Sequence, residues 1–310
     1  MIGRRALPWL ALPALAQSFP ARPVRLLVPY GPGNVTDLVG RALADALSTL
    51  WPQRVVVENL PGAGGALGVG AASRAAPDGH TLVLSAMAAL AVTPHLTRAG
   101  YDPLTDLTPI GLVAITRGAL AAHPTAPGPD LAALARAPGP IFYYTAGAGT
   151  LPHLNMELLK TALGAPFEHV PYRTSGAGLA DLLAGRVQLT MDAASVTMPA
   201  ILDGRLRAVF WNGPRRNPLL PDAPTTAELL PGLELANPWL GLLGPRGLPQ
   251  SLTRVIEMAL VAALAQPALA ARLSDSVELL GGGAAAFAHQ LRADHARFGA
   301  LLAGLDIRPD

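Results

Sequence analysis

The 310-residue chain has no cysteine, so disulfides, thiolate nucleophiles and cysteine metal sites are excluded. Lysine is almost as scarce, with Lys160 the only one. Aromatic residues make up 5% and charged residues 14%, and no basic cluster is interleaved with aromatics. That pattern offers no nucleic-acid surface. Long apolar runs are missing too. Beyond the N-terminus the longest, Val255–Ala265, is broken by Glu257 and fits a packed helix rather than a bilayer span.

What the chain has instead is glycine and proline, 32 and 31 residues without a period. This excludes a collagen repeat and points to many short, sharply turned connections. Hydrophobic residues make up 51%, and the length suffices for two domains of ordinary size.

The N-terminus, MIGRRALPWLALPALAQ, has the order of an export signal: Arg4 and Arg5, an apolar run from Ala6, then Ala14-Leu15-Ala16 before Gln17. The run is too short to span a bilayer, and the paired arginines suggest twin-arginine export without deciding it. An ordinary N-terminal tail is the plainer alternative. Cleavage of residues 1–16 removes two arginines and no acid, which brings the 23 basic residues level with the 21 acidic ones. The expected mature protein is therefore neutral and exported.

Short apolar runs alternate with helical patterns, as in βα units around a parallel sheet. Strands are expected at Val24–Tyr30, Arg54–Asn59, Thr81–Ser85, Ile141–Ala146, Phe167–Tyr172, Val187–Asp192 and Leu206–Trp211. Val35–Leu50 carries an apolar stripe of helical period, and Gly176–Ala184 repeats it in short form. Two apolar, extended segments, Ile110–Pro124 and Leu235–Pro245, lead directly into no helix. They divide the chain into an N-terminal block, a middle block and a C-terminal helical stretch, with helices near Leu252–Ala265 and Ala284–Ala303. No strand is expected in that last stretch, which should pack on the first block.

Glycine-rich turns carry the chemistry. In Val28–Gly40, Gly31 and Gly33 make a turn, Asn34 is placed to cap a helix, and Asp37 is placed to reach back. A helix start of this kind is either a well-capped turn or an anion site. Glu58–Gly70 mimics a dinucleotide fingerprint, but the next strand ends in Ser85 rather than an acid, so it reads as a loop lining a cleft. Thr145–Leu154, TAGAGTLPHL, lacks the Gly-Lys-Ser/Thr of a P-loop. Thr150 is the expected cap, and His153 reads as a packed or hydrogen-bonding histidine, because no G-x-S-x-G elbow supplies a nucleophile. In His169–Gly185, Thr174 or Ser175 caps a short helix behind Tyr172 and Arg173. Asp192 closes a strand, as a ligand contact or a turn cap. Metal binding has little support, since there is no H-E-x-x-H and His289 and His295 lie on different helix faces. No cofactor is expected. Capped helix starts without lysine suit a small carboxylate held by backbone dipoles, not phosphoryl transfer.

The ordered set FPARPVRLLVPYGPGNVTD, VVVENLPGAGGALG, AAPDGHTLVLS, TAGAGTLPHL, HVPYRTSGAGLADLLAGRVQL and LLPDAPTTAEL resembles the substrate receptors of tripartite tricarboxylate transporters, the Bug-type periplasmic binding proteins. The resemblance runs from Phe19 to Pro309 and implies a two-lobed α/β fold of periplasmic binding protein type II, with two hinge crossovers. It places lobe 1 at residues 17–116 plus 241–310 and lobe 2 at 117–240. It implies a small organic acid between the lobes of a monomer that serves membrane transporter subunits, without catalysis or nucleic acid. Matched positions are Tyr30, Gly33, Asn34, Thr36, Asp37 and Ser85 on one side. Facing them are Ala146, Gly147, Gly149, Thr150, His153, Ser175 and Asp192. Where the family commonly pairs glycines in the first loop, this chain has Gly33-Asn34. The loops after Ser85 (AMAAL) and Asp192 (AAS) are apolar, which favours a ligand with an apolar body over citrate. The alternatives are a periplasmic hydrolase using His153 and Asp192, and a ligand sensor signalling to a membrane partner.

Overall fold

The computed structural model describes residues 19–273 and 277–304; the expected export signal lies outside them. Eleven strands form two sheets among these residues. β1 (Val24–Val28), β2 (Val55–Asn59), β3 (Thr81–Ala86), β4 (Leu107–Thr116), β10 (Trp239–Pro245) and β11 (Val277–Gly283) build the first, in the order β11-β4-β10-β3-β1-β2. β5 (Ala119–Ala122), β6 (Ile141–Thr145), β7 (Phe167–Pro171), β8 (Leu189–Thr190) and β9 (Arg207–Trp211) build the second, in the order β7-β6-β8-β5-β9. The expected α/β fold with one sheet in each half is thus the fold found. Each expected run contains a strand, trimmed at one or both ends except β3, which runs one residue further to Ala86. β8 is the shortest, and beyond it the Asp192 carboxylate accepts from the Ala193 N–H.

The stripe in the helix Val35–Leu50 packs as its period predicts. Val39, Leu43 and Leu47 are fully enclosed against Val24, Leu26 and Leu84 of the sheet. Each such side chain contributes about 1.5–3 kcal/mol by leaving water. The two extended segments become β4–β5 and β10. β10 lies between β3 and β4 and pairs antiparallel with both, from Trp239↔Ile115 to Pro245↔Leu107 along β4. The expectation of a strand-free C-terminus is wrong: β11 pairs antiparallel with β4. Its sequence, VELLGGG, ends in residues depleted from strands. The ladder tolerates them through an irregularity between Leu279 and Gly282, with Gly281 at φ 64°. At the same edge an added Cβ on Gly111 would lie 2.8 Å from the Gly282 carbonyl. Beyond β11 the helix Ala284–Gly304 returns over β4. No helix among the described residues is long and apolar enough to cross a membrane.

Register fixes how the sheets face each other. β1 and β3 run parallel, and Ala86 at the C-terminal end of β3 pairs with Leu240 near the start of β10. The crossovers therefore leave the first sheet at its parallel strands' C-terminal edge. In the second sheet Gly118, just before β5, pairs with Ala193, just after β8, and β6 runs parallel to β8. Both sheets thus turn their C-terminal edges toward the crossovers, the edge at which α/β folds collect ligand contacts.

The crossovers touch backbone to backbone. Thr116 donates its N–H (2.7 Å) and hydroxyl (3.2 Å) to the Pro238 carbonyl. Gly118 runs so close to β8 that an added Cβ would lie 2.6 Å from the Asp192 carbonyl. Buried Asn155 clamps the second crossover, donating to the Ala236 carbonyl (2.8 Å) and accepting from the Ala236 N–H (2.9 Å). Asn155→Leu is expected to keep the volume, leave the Ala236 N–H unpaired and its carbonyl with only the 3.4 Å bond from Asn212 Nδ2, and cost about 2–4 kcal/mol. Urea denaturation measures it, and a loss below ~1 kcal/mol would show that the clamp is dispensable.

Candidate functional site

On the first sheet the sequence after β1 folds into a self-bonded turn. Asn34 caps the helix as expected, its Oδ1 accepting from the Asp37 N–H at 2.9 Å. Asp37 reaches back one residue further than a capping box requires, to the Gly33 N–H at 2.9 Å. Gly33 sits at φ 86°, where a side chain would be strained. The Asp37 carboxylate also accepts from Arg41 Nε (3.0 Å) and Asn59 Nδ2 (2.8 Å), and Asn59 ties this network to the Tyr30 carbonyl at 3.0 Å. Burial would raise the Asp37 carboxyl. The hydrogen bonds from Arg41, Gly33 and Asn59, with the Arg41 charge, outweigh it and hold it below the usual carboxylate value.

Asn34 therefore occupies the Asp37 and Leu38 N–H groups. The Val35 and Thr36 N–H groups are left without a protein partner among the described residues, the usual condition of a helix start. Thr36 is buried beside them. The Tyr30 hydroxyl turns inward against Gly65 and is buried without a hydrogen bond; burial pushes it up to about 12. Ser85 is fully enclosed at the end of β3.

On the second sheet Ala146, Gly147, Gly149 and Thr150 share the loop between β6 and the helix Leu151–Leu163, and His153 lies in that helix's first turn. Thr150 takes the cap position without capping: its hydroxyl donates to the Gly147 carbonyl at 2.8 Å. The Thr145 hydroxyl reaches that same carbonyl at 2.9 Å. The Gly149 N–H donates to His153 Nδ1 at 3.0 Å, so Gly149 shapes the loop while its N–H is engaged. The His153 ring stacks on His169, with centroids 3.9 Å apart and planes at 18°. Ser175 begins the helix Ser175–Leu183, which Thr174 caps, and the Tyr172 hydroxyl donates to Asp181 at 2.7 Å. Buried Asp192 is bonded to the Ala193 N–H at 2.8 Å, with the Tyr144 hydroxyl donating at 3.4 Å.

The two sets meet at one interface. Leu151 and Leu154, flanking His153, belong to the same apolar cluster as Met87, Ala89 and Leu90 from the turn after Ser85. Between Leu151 and the crossovers lies a cavity of about 200 Å³ bordered by Leu151, Pro152, Asp192 and Asn237. It does not reach Tyr30, Gly33, Asn34 or Thr36. Asn59, Thr145, Asn155 and His169 also build the site, though the sequence did not single them out. Asn59, Thr145 and His169 lie in or at the end of strand runs that lead into the glycine-rich turns, and that placement was the available signal.

Asp37→Asn is expected to lower stability by about 1–3 kcal/mol at pH 7. Because the folded carboxyl is held below its ordinary 3.8, the wild-type advantage is complete above that pH and fades as the pH falls further. Paired denaturation curves at pH 7 and pH 3 check it; an equal gap at both would refute it.

The comparisons with known proteins agree with this fold. Residues 39–306 match the model of the tripartite tricarboxylate transporter family receptor. BugT of Bordetella pertussis is 35% identical over 248 residues, covering 77% of this chain and 75% of BugT. The solved structure of an R. palustris protein with adipate is 30% identical with a TM-score of 0.77, covering 94% of this chain and 100% of that one. MatC from Rhodopseudomonas palustris, with bound malate, is 29% identical with a TM-score of 0.73, covering 91% and 99%. The chain belongs to the tripartite tricarboxylate transporter receptor family.

Proposed function

We propose that this protein is an exported periplasmic receptor. It closes two lobes around a small organic carboxylate and delivers it, as a monomer, to the membrane subunits of a tripartite transporter, without catalysing a reaction. The lobes are residues 17–116 with 241–310, and residues 117–240. The division of the strands between two sheets supports this. One observation carries the reading: two helix starts on facing sheet edges, with no lysine or arginine in Tyr30–Asp37 or Thr145–His153. Main-chain N–H groups and helix dipoles hold a carboxylate there without a cation. Contacts from both lobes exist together only in the closed state, so ligand shifts the equilibrium toward closure.

Within the site, Val35 joins the expected set through its N–H, beside Thr36. Gly33, Asp37 and Gly149 serve by shaping their loops. Ala86, Met87 and Ala88 after Ser85, and Ala193 and Ala194 after Asp192, favour a ligand with an apolar body. The hydrolase reading is weaker, because His153 is committed to Gly149 and His169 while Asp192 is committed to Ala193 and Tyr144. Neither orients the other. A ligand sensor would use this same cleft and differ only in its membrane partner.

Isothermal titration with adipate, malate, citrate and benzoate tests the reading. Adipate is expected to bind more tightly than citrate by about tenfold or more, a difference of ~1.4 kcal/mol. A folded protein that binds none of the four would overturn it. Gly147 has φ 131°, a conformation open to glycine and strained for other residues. Gly147→Ala is therefore expected to weaken binding about tenfold.

A further inference from the structure

We propose that His153 and His169 are positioning residues: their neutral, stacked rings hold Gly149 and Gly147 in the binding conformation, and a proton gained by His153 unlatches the loop. This rests on the receptor reading for its consequence, ligand release, but not for its geometry.

The proton positions follow from counting donors. Gly149 donates to His153 Nδ1 at 3.0 Å, so that nitrogen carries no proton and the neutral ring is protonated on Nε2. The Thr145 hydroxyl lies 2.9 Å from the Gly147 carbonyl, which can only accept. Thr145 therefore spends its single proton there, and His169 Nε2, 2.7 Å away, donates to its oxygen. The Gly147 carbonyl also accepts from Thr150 at 2.8 Å. Two hydroxyls and one imidazole thus fix both glycines, which sit at φ 131° and 74°. The loop has no regular ladder to hold it, so these four bonds set its shape.

A second proton on His153 would place an N–H against the Gly149 N–H and abolish the bond. The groups facing His153 are Glu157 and Lys160 on its own helix, Tyr143 from β6 and His169 from β7. Glu157 favours the proton, but its carboxylate already accepts from the Tyr143 hydroxyl at 2.6 Å. Burial comes first in lowering both histidines from the ordinary 6.5. Lys160 adds to it for His153, and the His153 charge adds to it for His169, which falls to about 4. The neutral pair therefore stabilises the loop fully above pH 6.5, and the contribution fades as the pH falls below it.

Nitrogen NMR on the ligand-free protein tests this directly. At pH 8 His153 is expected to show a bare Nδ1 and a protonated Nε2. The Gly149 amide proton is expected to shift over the same pH range as the His153 ring. His153→Phe keeps the stack but removes the acceptor. It should leave the Gly149 amide insensitive to pH and weaken adipate binding at pH 7.5 by about tenfold. His169→Phe should keep the Gly149 bond and its coupling to the His153 titration, while removing the donor to the Thr145 hydroxyl oxygen. A protonated Nδ1 at pH 8, or a Gly149 amide indifferent to the His153 titration, would overturn the proposal. If Gly149 follows His153 while wild type binds no acid, the latch stands and the receptor reading falls.

Discussion

Two chain segments cross side by side between the sheets, and neither has a full ladder to satisfy its buried backbone there. The remaining polar groups must find partners one at a time, since an unpaired buried N–H or carbonyl costs about 1–3 kcal/mol. Thr116 covers the Pro238 carbonyl, and Asn155 covers both groups of Ala236. Gly118 permits the close approach to Asp192. These contacts set where each sheet begins relative to the crossing, and so turn both C-terminal edges to the same place. The cleft is a consequence of how the crossing is satisfied.

The chemistry of the cleft follows from what its helix starts leave free. Asn34 consumes two of the first helix's early donors and leaves Val35 and Thr36. In the second loop His153 takes the Gly149 N–H. Each loop is thereby stiff before a ligand arrives, which reduces the ordering cost of binding. The carboxylate of Asp37 does not oppose an anion as a bare charge would, because Arg41, Gly33 and Asn59 surround it.

Much of this was legible in the sequence. The stripe of Val35–Leu50 and the Asn34 cap appear where spacing puts them, since both depend on neighbours within a few residues. Other features depend on partners far along the chain. β11 hid behind Gly281–Gly283, of which Gly282 and Gly283 are held in the ladder by pairing with β4. Thr150 looked like a cap, but its hydroxyl is drawn to Gly147. Asn155 sits mid-helix, where nothing nearby reveals that Ala236, 81 residues later, needs it. The His153–His169 stack joins a helix to a neighbouring strand and leaves no periodic trace.

The insertion of β10 between β3 and β4 bears on the order in which the molecule assembles. All five strands of the second sheet lie within Ala119–Trp211, so they can pair as soon as that stretch is available. β4 cannot. Its neighbours in the sheet, β10 and β11, begin at Trp239 and Val277, and until they arrive its apolar residues have no ladder. Contacts of such long range are slow to form. The first sheet therefore closes last, and the half of the molecule begun earliest in synthesis waits for the final quarter of the chain before it is complete.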